Sequence, residues 1–451
     1  MKRSVKKGQK LISVSTTGKG QKLWKKAKKL IPGGNQLLSK RAERFLPDLW
    51  PAYHGKGKGV EVWDLDGNKY LDMCIMGIGT LTLGYADPDV DKAVIATIKN
   101  GSMGTLNAPQ EIELAELLCK IHPWAKMVRY CRTGGESMAI AARIARAYSG
   151  KDTIAFCGYH GWADWYLAAN LAKKDGLDEH LLKGLAPKGV PKGLKGTIVP
   201  FRYNRFEELE AILKNNPDVG AVIMEPVHGE KPRDDFLKKI RALTKERGIL
   251  LVFDEITMGF RLTQGGAHLL YDIKPDMAIF AKGMSNGYPM AAILGTEEVM
   301  QAAQDTFISS TYWTEGIGPT AALATIKKMQ RVKAQKHLAR IGNLVREVWK
   351  TNAKKHSIDI NMSGPPALQF FAFPGPDPAA LKTLFVQEML RRGILASDLF
   401  YASYAHTPAH VRTYARAMDE VFAILREAID TNTVHSRLLG PVARSGFERL
   451  N

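Results

Sequence analysis

The sequence predicts a large α/β domain with a mostly parallel sheet, joined to a smaller α+β domain built from both ends of the chain. Two observations carry the larger domain. From about residue 85 to 330, short continuous apolar runs of strand type alternate with longer stretches of helical period. That alternation marks parallel strands covered by helices on both faces. A hairpin pattern before this body and amphipathic helix patterns after it supply the smaller domain. With 451 residues, 45% of them hydrophobic, the chain is long enough for a large core.

Along the chain, residues 60–73 (VEVWDLDGNKYLDM) read as two strand runs around the turn Asp66-Gly67-Asn68. Strands are predicted at 128–131, 153–157, 197–200, 220–224, 249–253, 277–281 and 290–294. Helices are predicted between them at 110–121, 136–148, 206–214, 234–247 and 318–334. Further helices are predicted at 336–352 and 379–392, around a Gly/Pro-rich stretch at 364–378; the last twenty or so residues carry weak signals.

Lys and Arg number 64 and Asp and Glu 45, a formal net charge of +19. The charge is not spread evenly. Residues 1–30 carry eleven bases and no acid, residues 31–60 add a net +3, and residues 61–451 hold only +5. The expectation is a basic, solvated, partly disordered arm on a nearly balanced body. Trp24 is its only aromatic, so it lacks the stacking platforms of single-strand binders, and nucleic acid is not expected as a partner. KGQKL occurs at 7–11 and 19–23, a local duplication and not a repeat fold. Cys74, Cys119, Cys131 and Cys157 form no Cys-x-x-Cys pair, which points away from a disulfide scaffold or structural zinc. No apolar run reaches the ~18–20 residues of a membrane span, and the basic start lacks a signal-peptide core, so a cytoplasmic protein is expected.

In open α/β sheets, ligands bind beyond the carboxyl ends of the strands. Three predicted strand ends carry ionisable residues: Glu225, Asp254 and Lys282. Parallel neighbours would bring them to one edge. Lys282 enters a Gly-rich turn, where a desolvated amine becomes a nucleophile toward carbonyls. Asp254, at a buried strand end, needs a cationic partner, and a protonated pyridine nitrogen is one. Thr133-Gly134-Gly135 precedes the 136–148 helix, where backbone N–H groups and the helix dipole suit a phosphate. Gly158-Tyr159-His160-Gly161 follows a strand, and an aromatic there suits stacking on a flat heterocycle. Taken singly, each has a plain reading: a surface lysine, a capping aspartate, turn glycines, a core tyrosine and a loop histidine.

In this order, the parts resemble the class III aminotransferases, pyridoxal-phosphate enzymes of fold type I, and among them the glutamate-1-semialdehyde aminomutase relatives. The likeness runs from about 27 to 407. It is strongest at 133–152 (TGGESMAIAARIARAYSGKD), 158–164 (GYHGWAD), 221–227 (AVIMEPV), 250–261 (LLVFDEITMGFR) and 275–292 (PDMAIFAKGMSNGYPMAA). The resemblance implies Lys282 as the lysine that forms the Schiff base with the cofactor, and Asp254 as the partner of the pyridine nitrogen. It implies Ile256 and Tyr159 on the two ring faces, Gly134, Gly135 and Thr133 at the phosphate, and Glu225 nearby. Thr311 takes the place of a threonine donated by the neighbouring subunit, so a homodimer is implied, with a small-molecule amino donor and carbonyl acceptor and no metal. The domains then read as a basic arm (1–30), the N-terminal part of the small domain (31–84), the large cofactor domain (85–335) and the C-terminal part of the small domain (336–451).

Departures from the family pattern bear on the substrate. The position after Gly134 has no hydroxyl, Thr257 follows Asp-Glu-Ile, and 393–404 lacks the expected carboxylate pattern, with Asp398 the nearest acid. The stretch at Gly77-Ile78-Gly79 lacks the hydroxyl-rich pattern of aminomutases. A transaminase is therefore the first reading and an intramolecular aminomutase the second. A decarboxylase or racemase outcome uses the same lysine–aspartate pair. A basic-arm binding protein is the reading from another class.

Overall fold

A computed structural model describes residues 11–180 and 183–444 of the chain. They form two compact units. The smaller comprises 11–78, 84–86 and 339–444, and the larger 79–83 and 87–338.

The smaller unit opens with a helix, Lys19–Leu30. This corrects the expected solvated arm from Lys19 onward; residues 1–10 lie outside the described residues. The cause is a narrow seam at helical spacing: Gly20, Gln21, Trp24 and Ala27 are buried. Trp24 Nε1 donates to Glu43 Oε1 at 3.0 Å, and Gln21 Nε2 donates to the Leu49 carbonyl at 2.9 Å. The chain continues through β1 (His54–Lys58), β2 (Glu61–Asp64) and β3 (Lys69–Asp72). The predicted hairpin is β2–β3. Asp64 Oδ1 accepts from the Asp66 and Asn68 N–H groups and so closes the turn, with Gly67 at φ +85° as a left-handed turn residue.

The larger unit carries β4 (Met127–Cys131), β5 (Thr153–Cys157), β6 (Ile198–Pro200), β7 (Val219–Met224), β8 (Leu250–Asp254), β9 (Met277–Phe280) and β10 (Ala291–Gly295). Each falls within a residue or two of its predicted position. They make one sheet in the order β4-β10-β9-β8-β7-β5-β6, in which β10 runs antiparallel to both its neighbours. The strands are apolar without alternation because both faces are covered: β5, β7, β8, β9 and β10 are buried along their whole length. The Gly134–Ser149 helix packs Met138, Ala141, Ile144 and Ala145 into the same core as Phe156, Ile223, Val252 and Ile279. Each large apolar side chain buried there contributes about 1.5–3 kcal/mol. Thr133 and Glu136 form a capping box at the start of this helix, and Gly150, left-handed, ends it.

The C-terminal part of the smaller unit adds β11 (Asn361–Ser363), β12 (Leu368–Ala372), β13 (Ile394–Leu395) and β14 (Leu399–Tyr401). β13 joins parallel to β3, completing the sheet β1-β2-β3-β13, so the two chain ends share one sheet as expected. The other three strands form the sheet β11-β12-β14. The predicted helices at 336–352 and 379–392 are Ala334–Lys355 and Pro378–Arg391. A long helix, Pro408–Asp430, was not anticipated, although Thr407 caps it and Val411, Tyr414, Met418, Val421, Phe422 and Leu425 supply its buried face.

Candidate active site

The sheet register explains why distant residues meet. Met224 lies opposite Phe253 in the β7–β8 pair, so the next residues, Glu225 and Asp254, leave the sheet side by side. Asp254 lies opposite Ile279 in the β8–β9 pair, three residues before Lys282. Cys157 lies opposite Met224, which sets Gly158 and Tyr159 beside Glu225. All these ends face the same edge.

Lys282 adopts φ +45°, the left-handed region that side-chain-bearing residues avoid. Such strain persists where surrounding structure enforces it, and it clusters at functional sites. The half-buried Lys282 donates from Nζ to Thr257 Oγ1 at 2.9 Å. Burial lowers the pKa of its amine, and the nearby Arg261 guanidinium lowers it further, against the opposing pull of Asp254 and Glu225. Arg261 is itself buried, donating from Nε to the Thr257 carbonyl at 2.7 Å and from Nη2 to the Gly79 carbonyl. Thr257 and Arg261 are site residues that sequence reasoning missed. Thr257 stood out there only as a departure from a family pattern.

Asp254 accepts from His160 Nδ1 at 2.8 Å and from the Ile256 N–H at 3.0 Å. Burial raises its pKa; the hydrogen bond from His160 opposes the rise. His160 is 1% exposed, and its Nε2 has no hydrogen-bond partner among the described residues. The plain loop-histidine reading thus gives way to a buried partner of Asp254. Burial pushes the Glu225 pKa up, but the hydrogen bond with His228 Nδ1 and the charges of His228, His160 and Lys282 together outweigh it and lower the pKa; Glu225 also accepts from the Tyr159 N–H at 3.4 Å. His228 is another residue the sequence did not single out. The Tyr159 ring packs edge-on against Tyr166 at 6.1 Å and keeps part of its surface exposed.

The Gly134–Ser149 helix begins at the same edge. Its first N–H groups have no intrahelical acceptor. The Thr133 hydroxyl donates to Glu136 Oε2 and takes the Glu136 N–H, so it is engaged in the cap. Among the described residues, the N–H groups of Gly134 and Gly135 have no acceptor. A Cβ at Gly135 would stand 2.5 Å from Trp162 Nε1, and one at Gly134 would stand 3.0 Å from Ile256 Cδ1. The two glycines therefore keep open a cradle walled by Ile256 and Trp162, of which Trp162 was also missed. Thr311 lies elsewhere, exposed at the start of the short turn Thr311–Thr314.

An open cradle of helix N–H groups, a carboxylate able to accept one further donor, and a strained, desolvated lysine fit pyridoxal phosphate at its phosphate, ring nitrogen and aldehyde. Fold and site together define a pyridoxal-phosphate transferase of fold type I. Residues 48–429 match the family model for class-III aminotransferases, and the chain belongs to that family. It is 31% identical to the 3-aminobutyryl-CoA aminotransferase of Cloacimonas acidaminovorans, over 90% of this chain and 97% of that one. It is also 31% identical to the glutamate-1-semialdehyde 2,1-aminomutase of Archaeoglobus fulgidus, over 89% of this chain and 99% of that one. In structure it resembles the FumI protein of Sphingopyxis, solved in its pyridoxal-phosphate internal aldimine form (TM-score 0.82, 24% identity, 93% of this chain and 99% of that one). The protein is thus an amino-transferring enzyme dependent on pyridoxal phosphate. No described helix is long and apolar enough to cross a membrane.

Proposed function

We propose that the protein is an aminotransferase working between a small amino donor and a carbonyl acceptor, with Lys282 as its covalent anchor and proton carrier. The observation that carries this reading is Lys282 itself: a strained, desolvated lysine one strand from a buried carboxylate. The Gly134 and Gly135 N–H groups hold the phosphate, while the Thr133 N–H and hydroxyl both donate to Glu136 in the helix cap. Asp254 accepts the ring N–H, oriented by His160. Ile256 and Tyr159 flank the ring, and Glu225 stands beside Tyr159.

Bound, pyridoxal phosphate supplies an aldehyde carbon that captures amines and a ring that takes up the electron pair released next to nitrogen. The rest falls to the chain. Burial lowers the pKa of the Lys282 amine and so favours its neutral, nucleophilic form. Thr257 Oγ1 fixes its direction. Asp254, held by two donors, has its carboxylate aimed where positive charge must persist.

A homodimer completes this proposal, with Thr311 serving the partner's cradle. The 310–316 segment meets the 102–106 loop through the Gly316 N–H and Ser102 carbonyl, and this region exposes Leu106 and Tyr312, at 88% and 72%. Apolar groups so exposed support an interface in this region. The enzyme is proposed to act in the cytoplasm.

Visible absorbance tests the proposal. Purified protein is expected to be yellow and to lose colour with an amino donor. Lys282→Ala removes both the lysine-linked band and turnover. A Lys282→Ala protein that keeps either one overturns it. Aminomutase activity is the second reading, favoured by relatives of that name at 29–35% identity; turnover without any added acceptor would select it.

A further inference from the structure

We propose that the outward face of the Lys19–Leu30 helix is a docking surface for an anionic lipid bilayer. At 3.6 residues per turn, Lys19, Lys22, Lys25, Lys26 and Lys29 fall within one third of the helix circumference. All five are exposed, opposite the buried seam of Gly20, Gln21, Trp24 and Ala27. Lys28, on the buried side of the helix, is ion-paired with Glu43 at 3.2 Å. Among the described residues, no carboxylate pairs with the other five.

Folding does not account for this arrangement. Lys22 repels Lys25 and Lys26 at i+3 and i+4, and Lys29 repels the same two from the next turn. Lys19 and Lys22 also stand in the first turn, where the Asp66 carboxylate accepts the Lys19 N–H at 2.8 Å and answers the positive end of the helix dipole, leaving the lysine–lysine repulsion unanswered. A polyanion would relieve that repulsion. The sequence before the helix continues the charge, with Lys2, Arg3, Lys6, Lys7 and Lys10 and no acid.

What else the face carries selects the kind of polyanion. Leu30, 70% exposed, and Leu23, 40% exposed, border the lysines on one side. No arginine, exposed aromatic or hydrogen-bonding amide accompanies them. Base edges and single strands are read with those missing groups. Protein interfaces deplete lysine and centre on aromatics and arginine. A bilayer surface satisfies both components present: acidic headgroups meet the ammonium groups, whose flexible stems let them reach, and the leucines enter the acyl boundary.

The test is co-sedimentation of the full-length, cofactor-loaded enzyme with vesicles of phosphatidylcholine alone or mixed with phosphatidylserine, at low and high salt. Binding to the mixed vesicles only, released by salt, is expected. Replacing Lys22, Lys25, Lys26 and Lys29 together by glutamine should weaken it at least about tenfold, and Leu23→Ser with Leu30→Ser by less. Should circular dichroism show the quadruple variant unfolded, the Lys22→Gln, Lys29→Gln pair is read instead, with a smaller loss in the same direction. Equal binding to both vesicle types overturns the proposal, as does unchanged binding of the folded lysine variants. So does binding to duplex DNA without binding to vesicles.

Discussion

Asp254 and Glu255 are consecutive residues, both buried and both bound to a histidine Nδ1, yet they serve different ends. Alternation at the end of β8 sends their side chains to opposite sides. Glu255 enters a closed network. It accepts from His268 Nδ1 at 2.7 Å and from the Ala267 and His268 N–H groups, while His268 Nε2 accepts from Trp124 Nε1. Beside it, His122 Nε2 accepts the Gly266 N–H. Asp254 enters an open arrangement: two donors reach it, and His160 Nε2 is left without a partner among the described residues. A closed network fixes a loop and adds stability. An open one keeps capacity for a ligand. Identical chemistry one residue apart is thus divided into scaffold and site by what surrounds it.

Substitutions at these two carboxylates should separate the roles most sharply. Asp254→Ala is expected to lower kcat/KM by about a thousandfold, the scale of losing one aimed charge in a closed site. Its melting temperature without cofactor should fall less than that of Glu255→Gln. Glu255→Gln breaks a buried, multiply bonded pair, which costs about 3–5 kcal/mol. Its apparent melting temperature should drop by several degrees while the refolded fraction keeps its kcat/KM. Scanning calorimetry and steady-state kinetics on both variants decide the matter; a Glu255→Gln enzyme that melts normally but loses activity would erase the distinction.

Legibility in the sequence divides along the same line. The strands of the larger sheet were readable because short continuous apolar runs between helical patterns mark strands covered on both faces, and their ends pointed directly to Glu225, Asp254 and Lys282. The cradle glycines were readable from their place before a helix. His160 was not, because its partner Asp254 lies 94 residues away and a lone histidine looks the same bonded or idle. Thr257 and Arg261 were hidden likewise: nothing in a threonine or an arginine announces that a lysine 21 or more residues later will rest against it. The basic segment misled by its composition. Four buried residues out of twelve are enough to order the Lys19–Leu30 helix, and charge counting does not see a seam that narrow.

Acid should expose the scaffold before the site. Burial, reinforced by the neighbouring His268, pushes the His122 pKa down to about 3, and the ring is locked neutral, with Nδ1 donating to the Leu118 carbonyl and Nε2 accepting from Gly266. In the unfolded chain its pKa is about 6.5, so that state alone takes up a proton as pH falls from 6.5 toward 3. The stabilisation is complete above about pH 6.5 and is lost progressively below it, by about 2 kcal/mol at pH 5. Melting curves at pH 7 and pH 5 should show the loss, and His122→Asn should flatten it. A His122→Asn protein with an undiminished acid slope would place the sensitivity in another group.

The smallest effect expected is at His160, and it is the finest test of the open pair. His160→Asn can still donate one hydrogen bond to Asp254, but without the imidazole ring that packs edge-on against Phe156. Outer partners that orient a functional group typically cost about 10–100-fold when lost, and retention of a donor puts this variant at the low end. A merely structural histidine would change stability and leave the cofactor's absorption spectrum unmoved. An orienting one changes the charge balance at Asp254, so the pH dependence of the visible band should shift while the melting temperature barely moves. His160→Phe keeps the ring and removes the donor; it should shift the band further than His160→Asn. The reverse order would show that packing, rather than the hydrogen bond to Asp254, is what His160 supplies.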